Sequence, residues 1–343
     1  MNPAKNLAIR RPTGMTAFVV VWLGQIVSVL ASTMSQFGLT IWLYQQTDSA
    51  LAMGLMQVAF ITPFLLLSPI AGVMVDRYNR KLMMMLSDFT AVLATGSVFI
   101  LLALGRLETW HLYVAAALNG IGNTFPWPAY SAAITTLVPK EQYSRANGLM
   151  SLVEAGPAVF APLLAGALLP LIGLTGILSI DVITFFFAIG ALLVVVVPSP
   201  VRTEAGQEAQ GGLVHEAVYG FKYIFQRPSL LGLQLVFFFG NLFFGIAFTL
   251  LAPMVLATTD SNSAIFGVVQ SVGAVGGVIG GIAMSVWSGF RRKVHGVLLG
   301  WAISALGLMA LGAGQGLTIW LPAIFITALV SPLVNTSNQA IWQ

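Results

Sequence analysis

The chain has 343 residues, of which 57% are hydrophobic and only 8% charged. A water-soluble domain carries about 25% charged residues, so this chain cannot coat a soluble body and most of its surface must face lipid. Cysteine is absent, which excludes a disulfide framework, a thiolate zinc site and a thiol nucleophile, and the net charge of +4 is read through its distribution rather than as a nucleic-acid signal.

The basic amino terminus (Lys5, Arg10, Arg11) precedes an apolar run too long for the core of a secretion signal, with no small-residue cleavage site. It predicts a retained first helix with its basic flank in the cytosol. Ten apolar segments follow one another: 17–43, 51–75, 82–104, 111–138, 148–171, 173–197, 230–256, 264–287, 294–311 and 317–342. Each is long enough to cross about 30 Å of hydrocarbon as a helix. With the amino terminus inside and the segments alternating, fourteen of the 15 Lys and Arg fall on the cytosolic side and Arg106 alone falls outside. That asymmetry supports the span count and a multi-pass protein of the plasma (inner) membrane with a cytosolic amino terminus.

The polar stretch 198–228 divides six segments from four. Its first part reads as a flexible linker, and from Leu213 apolar residues at helical spacing predict an amphipathic helix on the inner membrane surface. The chain is therefore expected to hold a six-helix half over 1–197, the cytosolic linker over 198–228, and a second half over 229–343. An internal repeat supports the division. Gly54 and Gln57 recur as Gly267 and Gln270, and Ser49-Ala50 recurs as Ser263-Ala264. Arg80 and Lys293 then stand 26 residues beyond the two glycines. The fold class is all-α and polytopic, with two pseudo-symmetric halves. Equal halves would leave the second two helices short, so a chain truncated at its carboxyl end, with about ten of twelve spans, is expected.

Between the second and third segments lies a dense charged loop, with Gly72, Asp76, Arg77, Arg80 and Lys81 within ten residues. This loop resembles the major facilitator signature G-x-x-x-D-R-x-G-R-K, with Asn79 in place of the second glycine. Asn tolerates the positive φ that such a turn demands. Gly156-Pro157, after Gly148, looks like a weakened form of the exporters' antiporter signature, whose further glycines are replaced by Phe160 and Ala161. The stretches 125–130, 138–141 and 145–148, together with Asp181, resemble the branch holding macrolide and enterobactin exporters. The fourth-span arginine of the family is not evident. The resemblance implies a major facilitator fold of 6+6 helices. It also implies that the loop acid and bases latch the halves together on the cytosolic side. The alternative is that these charges only set topology.

Ionisable groups within a bilayer are costly and are functional suspects. Three carboxyls qualify: Asp88, Glu154 and Asp181. Glu154, beside the expected helix break at Gly156 and Pro157, is the proton-coupling candidate, because a break frees backbone groups and admits water. Asp88 and Asp181 are read as structural. The resemblance implies a central cavity lined by the first, fourth, seventh and tenth spans. The polar residues on those spans are Gln25, Ser28, Ser32 and Gln36, then Asn119, Asn123 and Trp127, then Asn241, then Asn335 and Asn338. The first four lie at i, i+3, i+7 and i+11, one stripe on an apolar helix. The alternative for each is interhelical hydrogen bonding. An uncharged, amide- and aromatic-lined cavity suits a large, moderately apolar molecule.

His111, His215 and His295 fall near helix ends or in the linker and read as interfacial rather than metal-binding. No phosphate-binding glycine loop and no nucleophile–base pair stand out, so neither an ATP-driven pump nor an enzyme is expected. What remains is a monomeric secondary transporter without cofactor or metal. Its partners would be the bilayer and a drug-like or siderophore-like small molecule, exported at the expense of the proton gradient. A facilitator-fold importer or symporter and a non-transporting membrane scaffold or signalling protein are the alternatives.

Overall fold

Apolar composition leaves backbone amides no solvent partner in a bilayer, so each segment must satisfy them internally as helix. The computed structural model describes residues 14–77, 80–195, 225–287 and 289–342. These form α1 (Gly14–Thr47), α2 (Ala50–Arg77), α3 (Arg80–Ala103), α4 (Thr109–Gly122), α5 (Pro126–Leu137) and α6 (Tyr143–Val194). After the linker come α7 (Pro228–Thr258), α8 (Ser263–Val286), α9 (Lys293–Ala313), α10 (Leu317–Leu329) and α11 (Ser331–Trp342). A single 3-10 turn, Lys140–Gln142, precedes α6. No strand occurs among the described residues. Residues 198–224, including the expected surface helix of the linker, lie outside the described residues.

Eight stretches are long and apolar enough to cross a membrane. α6 accounts for two passes. Its 52 residues would reach about 78 Å if straight, against a hydrocarbon core of about 30 Å. Its backbone reverses at Gly173, where φ is 67° and ψ 176°. A side chain is disfavoured at that φ, so glycine makes the hairpin between the fifth and sixth spans.

The fourth span is not one helix. Pro126 and Pro128 lack the N–H groups that a continuous helix would need from them. α4 therefore stops at Gly122, and α5 restarts with proline in its first turn. Side chains take up carbonyls at the break: Ser87 Oγ donates to Gly122 O at 2.7 Å and Thr124 Oγ1 to Gly120 O at 3.0 Å. The tenth span is interrupted in the same way, between α10 and α11, with Val330 at the joint and Pro332 just beyond. Counting the reversal in α6 and these two broken spans, the described residues make ten passes.

His111 belongs to a helix start. It forms a capping box with Glu108, whose N–H donates to His111 Nδ1 at 3.0 Å. α8 is capped by Asn262, whose side chain accepts from the Ile265 N–H at 3.1 Å.

Two apolar cores sit at opposite ends of the bundle. The first joins residues from both sides of the linker, including Phe37, Ile41 and Leu43 of α1 with Val255, Leu256 and Phe266 of α7 and α8. Phe37 and Phe266 stack with ring centroids 5.1 Å apart. Here α6 and α8 approach so closely that a methyl group on Gly267 would overlap the Pro162 carbonyl. Ser263 Oγ donates to Gly166 O at 3.0 Å in the same contact. Small residues that let backbones touch are how membrane helices associate, since lipid offers no hydrophobic drive between them. Among the described residues, the second core holds residues up to Val195, including Phe18, Val75, Met84, Phe125 and Ile134. The bundle is therefore closed across its halves at the end carrying Thr47, Gly173 and Thr258. At the end carrying the charged loop, the core stays within the first six spans.

Candidate functional site

A cavity of about 410 Å³ opens among the first six spans. Its polar groups come from five helices, α1 and α3 to α6. The polar stripe of α1 supplies Gln25, Ser28, Ser32 and Gln36; α3 supplies Ser87, Asp88 and Thr95. The broken fourth span supplies Asn119, Asn123 and Tyr130, and α6 supplies Glu154 and Asp181. The break at Asn123 thus faces the cavity, where exposed backbone and amide groups are tolerated because water reaches them. Apolar walls come from Phe60, Val92, Met150, Val153 and Phe185.

Two carboxylates are held by residues of the stripe at matched spacing. Gln25 Nε2 donates to Asp88 Oδ2 at 3.0 Å. Seven residues along α1, Ser32 Oγ donates to Asp181 Oδ1 at 2.7 Å. Seven residues along α3 from Asp88, Thr95 Oγ1 donates to Asp181 Oδ2 at 3.2 Å. Seven residues of helix span about 10 Å, so the two acids form two rungs along the cavity. Asp181 is only 3% exposed, with a hydroxyl on each oxygen. Asp88 is partly exposed and Glu154 is exposed on the cavity wall.

The expectation of an uncharged cavity is corrected: all three membrane carboxyls line it. The sequence could have signalled this, because the spacing from Gln25 to Ser32 equals that from Asp88 to Thr95. Thr95 does not stand out in the sequence, and Tyr130 stands out only as the end of the stretch 125–130, not as a cavity residue. The expected helix break at Gly156 and Pro157 is also corrected. α6 keeps helical dihedrals through both residues, and its one non-helical position is Gly173. A proline costs a membrane helix one backbone hydrogen bond, which neighbouring helices can compensate, so it need not unwind the chain.

The amides of the second half do not line this cavity. Asn241 is exposed and its Nδ2 donates to its own helix, to Phe237 O at 2.7 Å. Asn335 is exposed and Asn338 partly buried on α11, past the break of the tenth span. The Trp127 side chain lies outside the described residues. Within the charged loop, Gly72 lies in α2, and the side chains of Asp76, Arg77 and Arg80 lie outside the described residues. Lys81 Nζ donates to the carbonyls of Leu193 at 3.3 Å and Val195 at 2.8 Å, at the carboxyl end of α6. These bonds stay within the first six spans, and a cation there is favoured by the helix dipole.

The family model described as Major Facilitator Superfamily matches residues 21–343. The chain belongs to this superfamily. The facilitator is a multi-pass membrane transporter, all-helical as its composition required. It is 25% identical over 334 residues to macrolide efflux protein A of Streptococcus pyogenes, covering 95% of this chain and 80% of that one. It is also 22% identical over 306 residues to the multidrug efflux pump Tap of Mycolicibacterium fortuitum, covering 86% and 71%. Among solved structures, a bacterial homologue of the human lysosomal transporter Spinster, inward-facing and unoccupied, superposes with a TM-score of 0.65 at 16% identity. That match covers 95% of this facilitator and 75% of the other chain. A bacterial homologue of the iron transporter ferroportin, also inward-facing, gives 0.65 at 15% identity, covering 95% and 83%. These likenesses concern the fold.

Proposed function

We propose that this transporter exports a drug-like or siderophore-like small molecule by alternating access, driven by the proton gradient. One observation carries the reading. A cavity of drug-sized volume, lined by apolar walls with polar groups among them, lies beneath an end of the bundle that is closed across the two halves. In a plasma membrane with the amino terminus in the cytosol, the closed end is the outer one and the molecule faces inward. The efflux proteins among its relatives support the direction.

In this reading the halves 1–197 and 229–343 rock about the contact between α6 and α8. Glu154, exposed on the cavity wall, takes a proton and gives one up as the cavity changes sides. The charged loop from Gly72 to Lys81 latches the cytosolic end in the opposite state, and its bases keep that end inside the cell. The test is efflux of a fluorescent drug from energised cells expressing the protein. Efflux that a protonophore abolishes supports export, whereas accumulation in the cells would establish an importer instead. Glu154→Gln is expected to abolish proton-driven efflux, and full pH-driven efflux by that variant would remove Glu154 from the coupling role.

A further inference from the structure

We propose that the hairpin between α8 and α9 binds the headgroups of anionic phospholipids, with Arg291, Arg292 and Lys293 meeting the phosphate and Trp287 and Phe290 seated beneath them. This surface lies apart from the cavity and stands independently of the export reading. Charge is the first ground. Of the chain's 11 Asp and Glu, only Asp260 falls between Phe225 and Gln343. It follows α7 at the closed end, whereas the hairpin stands at the opposite end, the 24 residues of α8 away. The bases of this half at that end are Arg227, Arg291, Arg292 and Lys293, so the half brings no acid there to balance them. The counterpart loop of the first half differs: it carries Asp76, and its Lys81 donates to the Leu193 and Val195 carbonyls. The first half's acids at this end, Asp76 and Glu141, stand among bases of their own, Arg77, Arg80, Lys81, Lys140 and Arg145. An anion supplied by the membrane surface restores the balance.

Position names the membrane as the source. α9 packs on α10 and α11, and the stems of the hairpin turn apolar side chains outward. Ile282 and Val286 are exposed on α8, Val286 by 87%, and Val294 and Leu298 are exposed on α9. Four residues separate the members of each pair, so each stem shows an apolar stripe on its outer face. Such stripes face acyl chains. Trp287, also exposed, meets Phe290 with ring centroids 5.1 Å apart. Aromatic rings settle between headgroup and hydrocarbon, and the exposed Arg291 and Arg292 follow this pair directly. The backbone supplies a further reason. Gly289 turns the chain with a φ of 79°, and α9 begins after Arg292 with no side-chain cap. Bases clustered at a helix amino terminus oppose the macrodipole. A phosphate resting there removes that cost, because it accepts from guanidinium groups in forked pairs. A soluble acidic partner would answer the charge but not the apolar stripes or the aromatic pair.

The test titrates the full chain, purified in maltoside micelles, with phosphatidylglycerol and phosphatidylcholine carrying the same fluorescent acyl chain. The anionic lipid is expected to bind about tenfold or more tighter, since each base near a lipid phosphate contributes up to about fivefold. The preference should shrink at high salt, which screens exposed charge. Arg291→Gln, Arg292→Gln and Lys293→Gln together should reduce it to about twofold, with phosphatidylcholine binding unchanged. Arg291→Lys with Arg292→Lys should keep most of it. Lys140→Gln with Arg145→Gln removes two exposed bases at the same end and should leave the preference in place. Equal binding of the two lipids, a preference that survives the triple Gln variant, or one lost equally with Lys140 and Arg145 would overturn the proposal. Displacement of the lipid by millimolar inorganic phosphate would make this a site for a free ion and would overturn it as well. So would anionic-lipid binding that rises in Glu204→Gln, Glu208→Gln and Glu216→Gln together, because the linker would then be the partner of these bases.

Discussion

The two ends of the bundle are held by different chemistry. At the closed end the contact between halves is made of glycine against carbonyl, one hydroxyl hydrogen bond and stacked phenylalanines. At the other end stands the charged loop, and its Lys81 binds the end of α6 within its own half. A contact built from backbone proximity fits in one arrangement or not at all, which suits a hinge that must not slip. A contact built from charges on flexible side chains can exchange partners as the halves move. The closed end should therefore be intolerant of added volume, whereas the charged end should accept side-chain changes at little cost in stability.

Four substitutions probe that contrast, beginning with the one expected to slow transport most. Gly267→Val places a side chain against the Pro162 carbonyl and should cost about 1–3 kcal/mol of the closed arrangement. In transport assays it should cut the rate by more than about tenfold, with the closed end becoming reactive to impermeant reagents. Phe37→Ala removes the stacked partner of Phe266 and leaves a void in the shared core. It should destabilise that end by about 3 kcal/mol, visible as a lower unfolding temperature in detergent. Ser263→Ala deletes the hydrogen bond to Gly166 O and should cost about 1 kcal/mol, with a measurable but smaller gain in labelling at the closed end. Lys81→Met removes a cation from the carboxyl end of α6 and should change stability by only about 0.5 kcal/mol. A loss of several kcal/mol from Lys81→Met, or none from Gly267→Val, would reverse the contrast.

Much of the architecture was legible in the residues because lipid imposes a simple rule: long apolar runs must be helices. The spans and the reversal between the fifth and sixth follow from run length and from Gly173. What was misread involves proline. Gly156-Pro157 suggested a break, yet α6 runs through it, while the real breaks lie at Asn123 to Phe125 and at Val330. Pro126 and Pro128 interrupt the fourth span because two missing N–H groups within three residues are harder to compensate than one. The polar stripe of α1 was legible as a stripe, and four of its residues do line the cavity. That Asp88 and Asp181 face the same stripe depends on how α3 and α6 rotate against α1, and no local pattern specifies that. Of the amides of the second half, Asn241 is satisfied within its own helix.

In the inward-facing reading, the cavity communicates with one side of the membrane, the side carrying the loop between α2 and α3. The chain has no cysteine, so a single Asn123→Cys, at an exposed cavity position on the broken fourth span, reports access without background. A membrane-impermeant maleimide would be applied to sided vesicles, once from each face. The expected result is rapid labelling from the face bearing the charged loop and little from the face bearing Thr47 and Thr258. Equal labelling from both faces, or faster labelling from the second, would contradict the closed end and the inward-facing state built upon it.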